Sequence, residues 1–207
     1  MNLRYLNLTL GLGMALLVAG ASPSATAKDP NKPHQRAVSC TFGATFVSGV
    51  ETHLDTNGDM VSASVHQGLV NCNIGRFLFQ EEFEFQPCKG ACPVNCPAGT
   101  TEFDLVQAQG VLTAEKTSEQ LFFEDAEGAS TFCLAPDLTF SFTEHATFAG
   151  GTGEFTGANG SFDGQGTGKY LATGSKEGVF GGFGQFTETA MGTLSLPKGE
   201  NEDKGED

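Results

Sequence analysis

Apolar and polar residues alternate along most of this chain with a period of two. Val38, Cys40, Phe42, Ala44 and Phe46 interleave with Ser39, Thr41, Gly43 and Thr45, the signature of a strand with one buried face. After Asn57-Gly58, a strong two-residue hairpin signal, Val61, Ala63, Val65 and Leu69 repeat the pattern and are expected to face inward. Further strands are expected around Phe77 to Phe85, then over Phe103 to Leu112, Glu119 to Glu124, Ala129 to Leu134, Leu138 to Phe148 and Val179 to Leu196. No window of useful length has helical period. About eight short strands joined by Gly- and Asn-containing turns predict an all-β domain, a single antiparallel, roughly eight-stranded barrel or else a sandwich.

The ends of the chain break this pattern. Arg4, the apolar run Leu10 to Ala21 and the small residues Ala25-Thr26-Ala27 read in order as a cleavable signal peptide over residues 1–27. The run is too short to span a bilayer, and no later segment approaches about 20 apolar residues. The expectation is a protein secreted or periplasmic after cleavage near Ala27. Residues 28–37 then form a flexible leader, 38–196 the barrel, and 197–207, KGENEDKGED after Pro197, a disordered acidic tail.

Charge narrows the partners. Arg4 is the one charged residue of the signal peptide, so its removal takes the net charge from −14 to −15. Such a surface repels nucleic-acid backbones and anionic lipid, which argues against nucleic acid and membrane as partners.

Cys40, Cys72, Cys88, Cys92, Cys96 and Cys133 all follow residue 27, and an even count in an exported chain reads as three disulfides. A hairpin at Asn57-Gly58 sets Cys40 opposite a position near residue 75, and a bulge brings it to Cys72. Cys88, Cys92 and Cys96 lie in a Pro- and Gly-rich stretch that suits a stapled loop, with Cys133 tying it to the barrel wall. A zinc knuckle is the rival reading, disfavoured by the spacing and by an oxidising compartment. No metal or other cofactor is expected.

Half of the 28 glycines fall between Gly150 and Gly192, interleaved with phenylalanines, which suits the corners and close approaches of a small barrel. Within that region Ala146 to Gly168 resembles the GGTGxFxxAxGxxxxxG segment of the dirigent and allene oxide cyclase-like barrels. The residues that carry the resemblance are Gly150, Gly151, Thr152, Gly153, Phe155, Ala158 and Gly160. It covers about 25 residues and implies an eight-stranded barrel with an apolar cavity and a tendency to homo-oligomers. It transfers no catalytic residue, and the Cys88-Cys92-Cys96 loop departs from the plant pattern.

Eighteen phenylalanines against no tryptophan, and Tyr170 as the one tyrosine beyond the signal peptide, give an aromatic interior with few polar handles. They either fill the barrel or line a pocket for a small hydrophobic molecule, and Phe77, Phe79, Phe83, Phe85, Phe140 and Phe142 are the candidate lining. Two carboxylates share faces with these rings: Glu81 with the odd positions of 77–85, and Glu144 with Phe140, Phe142 and Phe148. Desolvation there raises a carboxyl's pKa and fits it for acid–base work in a cofactor-free cyclase or isomerase. The plainer alternatives are a local bulge, or a rim position paired with Arg76 or Lys169. His66 and His145 are expected on outer faces and outside any such chemistry.

The remaining motifs are weak. Asp55, Asn57 and Asp59 begin like a calcium loop, but Met60 stands where glycine is required and His66 where the bidentate Glu belongs. Asn159-Gly160-Ser161 is a glycosylation sequon in a eukaryotic host. Gly-x-Ser-x-Gly, HExxH and P-loop patterns are absent, which removes lipase, zincin and nucleotide-hydrolysing readings. The sequence therefore favours a non-catalytic binder of a hydrophobic small molecule. A cavity-carboxylate cyclase or isomerase is the enzyme alternative, and a filled-core interaction protein is the third.

Overall fold

The computed structural model describes residues 34–54, 60–88, 96–125, 128, 130–176 and 179–197. The expected signal peptide, Asp55 to Asp59 with the expected Asn57-Gly58 turn, Cys92 and the expected disordered tail after Pro197 lie outside them.

Among the described residues nine strands make one antiparallel sheet: β1 (His34–Leu54), β2 (Met60–Cys72), β3 (Gly75–Pro87), β4 (Thr101–Ala114), β5 (Gln120–Asp125), β6 (Thr131–Leu134), β7 (Thr139–Gly151), β8 (Asn159–Lys176) and β9 (Val179–Leu196). The sheet closes because β3 pairs with both β2 and β4, and β1 with both β2 and β9. β5 and β6 share one place in the ring, each bridging a different stretch of β4 to β7. The result is the barrel the alternation predicts, with eight positions around the ring and no α-helix among the described residues. Closure removes the open strand edges of a sandwich.

Three details differ from the sequence reading. The barrel starts at His34, since His34 to Ala37 pair with Leu196 to Thr193 on β9, so this part of the expected leader is strand. β8 is a full strand of 18 residues in a stretch where the sequence reading assigned none. Its inward positions alternate Phe162, Gly164, Gly166, Gly168, Tyr170, and glycines at inner sites hide the apolar period. They are there because rings from β7 occupy the space: a Cβ at Gly166 or Gly168 would overlap Phe142 or Phe140.

The third difference is the face of β2. Ser62, Ser64, His66 and Val70 point inward, while Val65 and Leu69 are exposed at 37% and 44%. Val61 and Ala63 are buried too, beside an irregularity in the β1–β2 register between Ser48 and Thr52. Counting apolar residues assigns the strand to the wrong face because this part of the inner wall is polar.

Cys40 lies directly opposite Cys72 and is bonded to it, and Cys96 is bonded to Cys133 on β6. Cys88 is also disulfide-bonded.

The interior has two halves. At one end Phe42, Phe77, Phe79, Phe123, Phe148, Phe155 and Phe162 pack together, with Phe42 edge-on to Phe79 at 5.3 Å, Phe123 edge-on to Phe162 at 5.6 Å and Phe77 tilted against Phe155 at 6.1 Å. The stretch Ala146 to Gly168 contributes Phe148, Phe155, Ala158 and Phe162 to this end. At the end of β7 it bends at Gly150, φ 97°, and passes into a single 3-10 turn, Gly153–Phe155, which places Phe155 in the core against Phe77. The other half is different in kind.

Candidate functional site

A cavity of about 40 Å³ lies in the second half of the barrel. Seven phenylalanines line it (Phe46, Phe83, Phe85, Phe132, Phe140, Phe142 and Phe186), together with Tyr170, Ser64, His66, Thr143 and three carboxyls, Glu81, Glu144 and Glu188. The volume holds about three water-sized groups.

Strand parity delivers each polar group. In β3 the pairing with β2 runs unbroken from Gly75 to Phe85, so Glu81 stays on the face of Phe77, Phe79 and Phe85 and is buried, 7% exposed. In β7, Glu144 follows Phe140 on the inner face, and in β9 Glu188 sits between Phe186 and Ala190. Neither rim alternative applies to the cavity carboxyls: Arg76 pairs with Glu115 at 3.3 Å, and Lys169 is exposed.

His66 joins them, contrary to the outward position the sequence suggested. It is opposite Glu81 in the β2–β3 register and Phe46 in the β1–β2 register, both inward residues. Its Nδ1 is 2.7 Å from Glu81 Oε2, and its Nε2 is 3.0 Å from Ser64 Oγ. Phe83 stacks on the ring at 5.7 Å and Phe186 meets it edge-on at 5.2 Å. With Glu81 accepting from Nδ1–H, the imidazole presents Nε2 as an acceptor toward Ser64. The Val47 carbonyl oxygen, 3.2 Å from Ser64 Oγ, is a second acceptor for the same hydroxyl. His145, by contrast, is half-exposed and pairs on the outside with Asp163 at 2.7 Å.

Across the cavity, Glu144 and Glu188 form a carboxyl pair. Burial drives the Glu144 pKa well above the usual range, and the neighbouring Glu188, Glu81 and Asp125 push it further. Burial likewise raises Glu188 to about 8, while its hydrogen bond with Glu144 works in the opposite direction. Glu144 is therefore the protonated donor and Glu188 the acceptor. Gly164 makes room for the pair, since a Cβ there would collide with Glu188 Oε1. That oxygen is buried and makes no hydrogen bond.

A fourth inward acid, Asp125 on β5, accepts from Ser130 at 2.6 Å and is raised to about 7, chiefly by burial. Tyr170 receives a hydrogen bond from Ser48 at 3.2 Å, and burial raises its pKa.

Of the expected lining, Phe83, Phe85, Phe140 and Phe142 face the cavity, whereas Phe77 and Phe79 belong to the filled half. The sequence reading missed Ser64, His66, Asp125 and Glu188. Glu188 and Asp125 were recoverable from parity, being in step with Phe186 and Leu194, and with Leu121 and Phe123. Ser64 and His66 were not, because their strand presents its apolar residues outward.

A group of Cys88, Glu102 and Asp104 could offer metal ligands, but Cys88 is in a disulfide and has no thiolate. A shallow depression of about 1070 Å³ runs over the outer face past Thr45, Gln67, Thr167, Thr187 and Lys169. Lys169 is its one ionisable group, so the chemistry is concentrated inside.

No family model matches the chain, and no curated protein is significantly similar to it.

Proposed function

We propose that this is an exported barrel that takes a small hydrophobic molecule into its Phe-lined interior and moves protons on it without a cofactor, as a cyclase or isomerase does. One observation carries the reading: a protonated carboxyl pair, Glu144 with Glu188, and an imidazole oriented by Glu81 line the same apolar cavity. A carboxyl that can donate and an imidazole nitrogen that can accept, placed on one cavity, are the parts of acid–base catalysis. In a carbonyl substrate the Glu144–Glu188 pair would hydrogen-bond the oxygen while His66 Nε2 takes a proton from the adjacent carbon. Enclosure by rings excludes water and strengthens both interactions.

Export is supported by the order of charged, apolar and small residues in 1–27 and by the disulfides, which persist in oxidising compartments. Among the described residues no helix is long and apolar enough to cross a membrane. The likeness of Ala146 to Gly168 to the dirigent and allene oxide cyclase barrels is compatible with the reading and rests on those residues alone.

The small volume favours a second reading, a filled core with the function on the outer surface. In the first reading an occupant larger than a few heavy atoms must displace the half-buried rings Phe83 and Phe142. Native mass spectrometry of the protein from its own source, followed by denaturation and analysis of released small molecules, separates the two. A near-stoichiometric apolar compound supports the cavity, and loss of its conversion in Glu144→Gln or Glu81→Gln supports proton transfer. Binding with no conversion in the wild type leaves a plain carrier. A clean apoprotein that binds no hydrophobic dye overturns the reading in favour of the filled core.

A further inference from the structure

We propose that Ser64 is an activated nucleophile and that the cavity carries an acyl-transfer activity toward esters with a short acyl group. This goes beyond proton transfer by the Glu144–Glu188 pair and rests only on the cavity admitting a small apolar molecule. The geometry is specific. Ser64 Oγ meets His66 Nε2 at 3.0 Å, and His66 Nδ1 meets Glu81 Oε2 at 2.7 Å. This is the order of contacts that makes a serine nucleophilic in unrelated folds: hydroxyl to one ring nitrogen, carboxyl to the other. Such a constellation is defined by geometry and not by chain position. Here three adjacent inward sites supply it, Ser64 and His66 two residues apart on β2 and Glu81 across the ladder on β3.

The surroundings fit the role. Rings of Phe46, Phe83 and Phe186 hold the imidazole on three sides, so its orientation is fixed before any substrate arrives. Ser64, His66 and Glu81 all line the cavity. Glu188, which accepts from Glu144 and is raised to about 8 by burial, lines it too and keeps its own proton as the hydrogen-bond donor for an oxyanion. Room for about three water-sized groups matches an acetyl group and rejects a long acyl chain.

The chemistry balances without any further reactant than water. Ser64 Oγ bonds to the ester carbonyl carbon as its proton passes to His66 Nε2. The bond from that carbon to the alkoxy oxygen then breaks, and the alcohol leaves with the proton. Water attacks the acyl-serine, gives a proton to His66, and releases the carboxylic acid as Ser64 regains its hydrogen.

The test uses methanesulfonyl fluoride, whose sulfonyl group is small enough for the cavity, on the folded protein, with the modified residue located by peptide mapping. The expected result is one sulfonyl group per chain, on Ser64, with no label in Ser64→Ala. In His66→Gln the labelling rate falls at least ~100-fold. Hydrolysis of methyl acetate, followed by the appearance of acetate, should fall in parallel. Mapping of the wild type decides without either variant: Ser64 modified no faster than the exposed Ser39 overturns the proposal. Dye binding in the same sample keeps the two readings apart. Bound dye with unlabelled Ser64 overturns this inference alone, and labelled Ser64 with no dye bound upholds it.

Discussion

Glu144 and Glu188 lie diagonally across Gly164 on the inner wall, close enough to share a hydrogen bond, with no basic side chain beside them on the cavity lining except His66. Two carboxyls so placed cannot both ionise at low cost, because each loses its hydration and faces the other's charge.

Stability should therefore fall as the solution becomes alkaline. Glu188 rises from 4.5 to about 8 and Asp125 from 3.8 to about 7 on folding, and Glu144 rises as well. Between pH 5 and 8 the folded chain holds protons that the unfolded chain has released, so the slope of unfolding free energy with pH is negative. The stabilisation is complete below the unfolded values and is lost as pH passes the folded ones. Glu81 and His66 face the same cavity. Denaturant melts at pH 5, 6.5 and 8 should show a steady decrease. Glu188→Gln keeps an acceptor for Glu144 and removes a carboxyl that resists ionisation, so it should flatten the trend and gain a few kcal/mol at pH 8. The scale follows from the proton-binding free energy, about 1.4 kcal/mol for each tenfold change in proton affinity on folding. An unchanged slope in that variant would contradict the assignment.

Glu81 and His66 hold one another, so removing either should cost more than the area lost. Glu81→Ala leaves Nδ1 of a half-buried imidazole without its acceptor and should destabilise by about 1–3 kcal/mol. His66→Phe keeps the ring contacts with Phe46, Phe83 and Phe186 but leaves Glu81 buried without a partner. Its loss should be smaller at pH 5 than at pH 8, since an unpaired buried carboxyl becomes neutral in acid. Thermal melts of both variants at the two pH values test this, and an equal loss at both for His66→Phe would count against it.

The sequence made the architecture readable because period-two alternation survives wherever an inward face is apolar, as in β1, β3 and β7. It made Glu81 and Glu144 readable for the same reason: each interrupts an apolar face whose parity is set by neighbouring phenylalanines. It failed on β2, where Ser62, Ser64 and His66 occupy the inner face and Val65 and Leu69 the outer, so hydrophobicity points the wrong way. It failed on β8, where inward glycines have no side chain to register. In both places the missing information is in the neighbouring strand: His66 is inward because Glu81 and Phe46 are its partners, and Gly166 and Gly168 are small because Phe142 and Phe140 are large. The cavity's size is a matter of ring packing in three dimensions and has no trace in a linear pattern.

The Cys40–Cys72 bond closes a hairpin across directly opposed residues of β1 and β2, with a sequence separation of 32. Joining such a span restricts the unfolded chain and stabilises the fold by on the order of 3–4 kcal/mol. The Cys40→Ala/Cys72→Ala double variant should lose about that much in denaturant unfolding while keeping the strand signature in far-ultraviolet circular dichroism. A loss under about 1 kcal/mol would mean that the hairpin is already held in the unfolded ensemble.

The inward glycines of β8 give the sharpest packing test. A Cβ at Gly168 would fall within the Phe140 ring and against the Gln185 carbonyl, and one at Gly166 within the Phe142 ring. Since Phe140 and Phe142 are walls of the cavity, Gly168→Ala and Gly166→Ala must push those rings toward the open space, at a cost of about 1–3 kcal/mol for overpacking. Gly43 on β1 faces open solvent with nothing near its missing Cβ, and Gly43→Ala should be neutral or slightly stabilising, because alanine loses less backbone freedom on folding. If the cavity is the binding site, Gly166→Ala should also weaken uptake of a hydrophobic dye beyond its effect on stability, and Gly43→Ala should leave uptake unchanged. Equal uptake by all three variants would place the dye elsewhere on the molecule.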